Sequence, residues 1–176
     1  MRTIDAMALI LKKEGIEFLS AFPTTSVIEA IAATGVRPVI CRQERVGVHI
    51  ADGFARVTNG RKASVFAMQY GPGAENAYPG VATAFSDAVP MLFLPLGHPG
   101  ARESVTPMYS SLKSYDSVTK HIERINSPER AGASLRRAFS AMRMGKPGPA
   151  MLEIPADIAE MDVDPSIVDK YVPVKT

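Results

Sequence analysis

An open α/β sheet of mainly parallel strands, with helices on both faces, is the fold this sequence predicts. Three observations lead there. Helical and extended patterns alternate along the chain, the strand candidate 91–96 is a continuous apolar run, and the segments between strands are long enough to form crossover helices. Strands apolar on both sides belong in a sheet covered on both faces, and helical crossovers join parallel neighbours.

Taken in order, Thr3 is placed to cap a first helix in which Ile4, Ala8 and Leu11 share a face, and Gly15 stops it. Residues 16–22 read as a strand. Thr24 or Thr25 begins a second helix through Ile28 and Ile31 to Gly35, and 36–41 form the next strand, with Val39-Ile40-Cys41 read as short, apolar and buried. From Glu44 onward Val48, Ala51 and Ala55 recur at helical spacing to about Thr58, where Asn59-Gly60 breaks the helix. After the third strand at 63–68, the Gly71-Pro72-Gly73 loop opens a helix over 74–85, and 91–96 is the fourth strand. Residues 97–117 interrupt the rhythm with Gly97, Pro99, Gly100, Pro107 and several serines, the composition of a long functional loop. Ser127-Pro128-Glu129 is a helix start, since serine caps, proline suits the first helical position and glutamate complements the dipole. That helix runs to about Met144 and ends at Gly145; 150–154 is a last short strand, and Pro155, Pro165 and Pro173 punctuate a tail without a clear element. The organisation expected is one domain over 1–160, followed by 161–176 as a tail or the start of a linker to a middle domain. No internal repeat or low-complexity block is present.

Composition fits one compact domain. A chain of 176 residues with 46% apolar and 22% charged residues can bury a core of ordinary size. A net charge of +2, with basic residues dispersed, gives no reason to expect a nucleic-acid partner. Cys41, the single cysteine, cannot pair within the chain and reads as a small buried apolar residue. No signal pattern and no apolar run of about 20 residues points to a membrane, so a cytoplasmic location is expected.

The residue that most needs explanation is Glu44, which falls where a strand gives way to the first turn of a helix. There the helix dipole favours an anion and burial opposes it. One reading is an acid that only complements the dipole. Another comes from context. Glu44, His49 and Ala51-Asp52-Gly53-Phe54-Ala55-Arg56, together with Gln69-Tyr70-Gly71-Pro72-Gly73-Ala74-Glu75-Asn76 and the segment from Gly80 to Leu94, resemble the N-terminal pyrimidine-binding domain of thiamine diphosphate enzymes of the acetolactate synthase-like group. Phe22-Pro23, Val118-Thr119-Lys120-His121, Gly145-Lys146-Pro147-Gly148-Pro149-Ala150 and Leu152-Glu153-Ile154-Pro155-Ala156-Asp157 resemble family landmarks in the family's order, so the resemblance covers about residues 1 to 160.

The resemblance implies a role for each of these residues. Glu44 would hydrogen-bond N1′ of the cofactor's aminopyrimidine, favouring the imino tautomer whose 4′ nitrogen removes the thiazolium C2 proton. The cofactor would then attack a 2-oxo acid, and after loss of carbon dioxide the product would be protonated or condensed with a second carbonyl. Such a carboxyl must share or hold a proton, which an apolar setting favours, and Val46 and Val48 are candidates to supply that setting. Phe22 and Pro23 would form one wall of the pyrimidine pocket, while Gly71, Pro72, Gly73 and Asn76 would line another. Each also has a plain reading, as a strand end or as turn and cap residues. Gln69, Tyr70 and His98 are candidates to face substrate. His98 follows the fourth strand at the sheet edge where ligands of open α/β folds gather, though a structural role is its alternative. His49 lies about 140° around the helix from Glu44 and reads as a packing or interface residue; His121 reads as structural.

A strand, glycine-rich turn and helix also resemble a phosphate cradle. In the family, however, the diphosphate and Mg²⁺ are held by a different domain through a Gly-Asp-Gly motif. Ala51-Asp52-Gly53 is not a match, because it falls inside a helix, and no metal ligand is assigned to this chain. The partners implied are therefore a diphosphate-binding domain, in the same enzyme or a partner subunit, and a small 2-oxo acid, within a homodimer or tetramer. The glutamines that acetohydroxyacid synthases carry after the fourth strand are replaced by Gly97 and the 107–111 segment, and the histidine pair of pyruvate-type decarboxylases is missing. The reaction within the group is thus left open. An excised N-terminal domain of a larger decarboxylase or carboligase is the leading expectation. Its alternatives are a separate alpha subunit of a two-subunit sulfopyruvate- or phosphonopyruvate-type decarboxylase and a non-catalytic α/β interaction module.

Overall fold

A computed structural model of the chain describes residues 1–23 and 26–174. Its centre is a six-stranded, wholly parallel sheet in the order β2-β1-β3-β4-β6-β5, formed by β1 (Phe18–Ala21), β2 (Arg37–Ile40), β3 (Val65–Met68), β4 (Leu92–Gly97), β5 (His121–Arg124) and β6 (Ala150–Pro155). The expected α/β architecture is therefore present. Helices cover both faces. On one side α1 (Thr3–Lys13), α2 (Val27–Ala33) and α6 (Ala131–Arg143) bury Ile4, Leu11, Ile31 and Phe139 against Leu19, Val65 and Leu94. On the other, α3 (Glu44–Val57) and α4 (Pro72–Ser86) bury Val48, Ala51, Ala77 and Val81 against Phe66, Phe93 and Met151.

The direction of each crossover decides the face. Connections that step from β1 out to β2, or from β5 back to β6, carry α2 and α6; connections stepping the other way carry α3 and α4. This is the partition that crossovers of one hand require. Chain direction reverses at β1 and β3, so the loops leaving these adjacent strands open a crevice at the carboxyl edge of the sheet, where open α/β sheets bind ligands.

Central strands β3 and β4 are buried on both faces, as their apolar runs require. The expectation of a buried second strand is corrected: β2 is an edge strand, paired only with β1, and Ile40 is half exposed. Cys41 beyond it is buried, and burial pushes its thiol up, as expected of an inert core cysteine. Gly47 explains how α3 reaches the sheet. A Cβ there would stand 2.3 Å from the Phe66 ring and 2.6 Å from Cys41 Sγ, and the close approach lets the buried Ser20 Oγ donate to the Gly47 carbonyl at 2.7 Å.

Four further local readings change, and one more lies outside the described residues. Arg2, not Thr3, occupies the cap position of α1, and the Thr3 hydroxyl donates to the Met161 carbonyl at 2.8 Å. The start of α2 expected at Thr24 or Thr25 lies outside the described residues. Ser127 precedes a 3₁₀ turn (Pro128–Arg130) leading into α6 and makes no side-chain cap bond. The 97–117 segment contains α5 (Ser111–Tyr115), whose Tyr115 is buried and donates its hydroxyl hydrogen to the Ala74 carbonyl, tying the segment to the first turn of α4. Beyond β6 the chain forms α7 (Ala156–Glu160) and α8 (Ser166–Asp169), which pack against α1. No helix among the described residues is long and apolar enough to cross a membrane.

Candidate active site

The carboxyl edge of β2, β1, β3 and β4 brings the sequence-selected residues to one side of the molecule. Glu44 is the first residue of α3 and is only 6% exposed. Gln43 stands at the cap position in an extended conformation without a side-chain cap bond, so Glu44 sits at the positive end of the helix dipole. Of the two valines expected to shelter it, Val48 is fully buried but Val46 is 49% exposed. Position explains the difference: Val48 is one turn from Glu44 on the inward face and Val46 is on the outward one. The apolar shelter is thus one-sided.

The second wall comes from the turn after β3. Gly71 has φ of +60°, a conformation glycine adopts without strain, and Pro72 begins α4 at a position suited to proline. This turn places Gly73 under the carboxyl. A Cβ on Gly73 would be 3.1 Å from Glu44 Oε1 and 2.7 Å from Gln69 Cγ, so the close approach of loop and acid depends on that residue having no side chain. One turn along α4, Asn76 Nδ2 donates to Glu44 Oε2 at 2.8 Å. Among the described residues this is the only side-chain hydrogen bond to Glu44, and no cation pairs with it. Phe22, half buried, and Pro23, exposed, leave β1 beside this turn, and the Phe22 N–H donates to the Ala67 carbonyl at 3.0 Å.

Gln69 is half buried and Tyr70 partly exposed. The Tyr70 ring packs on His98 with centroids 4.2 Å apart, joining the β3 turn to the residue after β4. Both ring nitrogens of His98 are buried without a hydrogen-bond partner. Burial, with the nearby Arg102 charge adding to it, holds this imidazole below its usual range and hence neutral at pH 7. His49 is exposed on α3, and His121 Nε2 lies 3.2 Å from Glu123 Oε2; neither joins the site. Asp52 lies in the middle of α3, paired with Arg56 at 2.9 Å. No three His, Cys, Asp or Glu side chains among the described residues group so as to hold a metal ion.

Two further residues join this edge: Glu153, noted above only as part of the Leu152–Asp157 landmark, and Arg124, which no pattern singles out. Arg124 Nη1 donates to Glu153 Oε1 at 3.2 Å, Nη2 donates to the His98 carbonyl at 3.1 Å, and Ser111 Oγ donates to the other Glu153 oxygen. The signal was weak, because β5 has only four residues and its apolar alternation is too short to stand out.

A buried acid at a helix start, with one oxygen held by an amide and the other facing a side-chain-free turn, can bind a planar ring nitrogen and share a proton with it. Known proteins similar to this chain show its family. Residues 1–125 match the family described as thiamine pyrophosphate enzyme, N-terminal TPP binding domain. The chain is 28% identical to a probable acetolactate synthase large subunit of Methanocaldococcus jannaschii over 97% of its own length and 29% of the relative's. It is 31% identical to the acetolactate synthase large subunit of Haemophilus influenzae, over 84% of this chain and 26% of that one. With the acetolactate synthase isozyme 3 large subunit of Escherichia coli K12 the identity is 30%, over 82% and 26% respectively. The chain thus spans less than a third of the length of these curated relatives. With the family pattern matched over most of its residues, the chain belongs to the thiamine pyrophosphate enzymes, as their N-terminal cofactor-binding domain.

Proposed function

We propose that this chain supplies the pyrimidine half of a thiamine diphosphate site and that Glu44 is its catalytic residue, in an enzyme that decarboxylates a 2-oxo acid and protonates the product or transfers it to a second carbonyl. The observation carrying this reading is the Glu44 carboxyl: nearly buried, bonded at Oε2 by Asn76, and with Oε1 over Gly73. The residues fit the cofactor's ring. The cradle over Gly73 is one that a Cβ would narrow, and an acid at Oε1 complements a ring nitrogen that must gain a proton. When bound, thiamine diphosphate supplies a carbon nucleophile and an electron sink.

The residues of this chain have distinct tasks in that reading. Glu44 holds and shares a proton at Oε1. Asn76 fixes the rotamer of the carboxyl through Oε2. Gly71, Pro72 and Gly73 shape a turn that lets the ring approach, while Phe22 and Pro23 close the opposite wall. Gln69, Tyr70 and His98 lie on the side toward which substrate would approach. The diphosphate and its Mg²⁺ are assigned to a second domain or a partner subunit, within a homodimer or tetramer in the cytoplasm.

Two measurements test the half-site. Purified chain given thiamine diphosphate, Mg²⁺ and pyruvate is expected to show no turnover. Thiamine titrated into labelled chain is expected to shift the backbone amides of Glu44, Gly73 and Asn76, and shifts confined to another part of the surface would contradict the assignment.

A further inference from the structure

α4 loses a bond at the end of its first turn. Pro79 lies inside the helix, has no N–H to give the Glu75 carbonyl, and crowds that carbonyl with its ring. The turn from Pro72 to Asn76 is therefore one bond short of a regular attachment to the rest of α4. Yet this turn carries Gly73 beneath Glu44 and the Asn76 amide that holds Glu44 Oε2 at 2.8 Å. Among the described residues, the side-chain hydrogen bonds to the turn are that one and the bond from the Tyr115 hydroxyl to the Ala74 carbonyl.

Tyr115 is built to be a fixed point. Its side chain is fully buried, its ring packs on Phe93 of β4 with centroids 4.8 Å apart and on Tyr78 at 5.2 Å, and the Thr119 hydroxyl donates to its backbone carbonyl at 2.9 Å. The opposite end of α5 is anchored as well, because Ser111 Oγ donates to Glu153 of β6. Burial pushes the Tyr115 phenol up, so the hydroxyl keeps its hydrogen and stays a donor at neutral pH. A ring seated on a central strand thus reaches, through Ala74, the turn that orients Glu44. Precision there matters, since a misplacement of about 1 Å in a group serving the reacting centre can cost on the order of 10² in rate.

We propose that Tyr115 is a positioning residue: by holding the Ala74 carbonyl it sets the first turn of α4, and through it the Asn76 amide that orients the Glu44 carboxyl. The step to catalysis rests on the reading of Glu44 above; the effect on Asn76 does not. Tyr115→Phe keeps the ring and removes the hydroxyl. Its control is Tyr171→Phe, because Tyr171 lies in the core on the other face of the sheet and gives its hydroxyl hydrogen to Glu14. Both variants should melt below the parent, Tyr115→Phe by about 2 to 4 °C. Only Tyr115→Phe should move the side-chain NH₂ resonances of Asn76 in isotope-labelled chain. In the enzyme assembled around this chain, Tyr115→Phe should slow C2 proton exchange of bound thiamine diphosphate about tenfold. Added to Asn76→Ala it should slow exchange by less than about twofold more, because both act through one contact. Asn76 resonances that stay in place in Tyr115→Phe, or move as much in Tyr171→Phe, would overturn the positioning of Asn76 whatever Glu44 does. Moved resonances with an unchanged exchange rate would overturn the step to catalysis, and full multiplication of the two effects in the double variant would overturn the route through Asn76. Glu44→Gln exchanging at the parent rate would instead remove the reading of Glu44 and leave the Asn76 result standing.

Discussion

Glu14 and Glu44 are both buried carboxylates in the same small domain, and their surroundings are opposite. Glu14, at the end of α1, has a fully covered side chain with both oxygens occupied: Arg143 Nη1 donates to Oε2 at 2.8 Å, and the Tyr171 hydroxyl and the Val174 N–H donate to Oε1 at 2.5 and 2.9 Å. Glu44 is just as buried and has the single bond from Asn76. The first acid is a clamp, holding residues 171–174 against α1 and α6. The second is left with acceptor capacity that nothing in the described chain uses. Burial alone therefore does not distinguish the two acids; their partners do.

Removing each carboxylate should separate the two roles most strongly. Glu14→Gln leaves Arg143 charged and nearly buried, so a loss of about 3 to 5 kcal/mol is expected in urea unfolding, with faster amide exchange over 168–174. Glu44→Gln should change stability by less than about 1 kcal/mol, or raise it, because no cation is stranded. Equal destabilisation by the two would erase the distinction.

The next effect concerns the turn under Glu44. Gly73→Ala places a methyl 2.7 Å from Gln69 Cγ and 3.1 Å from Glu44 Oε1. A cost of about 1 to 3 kcal/mol is expected, together with weaker thiamine binding by calorimetry. Unchanged binding would mean that the ring does not use this approach.

The smallest effect is a pH dependence at a third, well-partnered acid. Burial opposes the charge of Glu123, but Arg137, Ser134 and His121 overcome it and hold the carboxyl at about 2, below its ordinary 4.5. A folded-state value below the unfolded one stabilises the protein above pH ~4.5, and that stability is lost as the pH falls toward 2. Because Arg137 is 43% exposed, the loss should be only about 1 kcal/mol. Arg137→Ala should flatten this acid limb in thermal melts while leaving neutral-pH behaviour at Glu44 untouched.

The same contrast explains what could be read from the sequence. The central strands announced themselves as unbroken apolar runs because they are buried on both faces, and α3 was visible through Val48, Ala51 and Ala55. The turn at Gly71 was legible because a positive φ followed by a proline at the start of a helix leaves a fixed residue signature. Edge elements are harder: Val39-Ile40-Cys41 reads as a buried apolar run although β2 is an edge strand, and β5, with half-buried residues throughout, offers no usable pattern. The clamp on Glu14 and the network of Arg124, Glu153 and Ser111 join residues from 29 to 160 positions apart, and no local period records such pairings. Glu44 was conspicuous for its place at a strand-to-helix junction; that its partner would be an amide and not a cation is a fact of the tertiary structure.

The central claim is that Glu44 exchanges a proton with the cofactor's ring and does not serve the fold. Its most direct test is the rate at which bound thiamine diphosphate exchanges its C2 proton for deuterium in the enzyme assembled around this chain, with Glu44→Gln beside the parent. The expected result is a fall of about 10² to 10⁴ in that rate, the range of proton-transfer catalysis, with the melting transition preserved. Exchange at the parent rate would contradict the claim and return Glu44 to the role of an acid that merely complements a helix dipole.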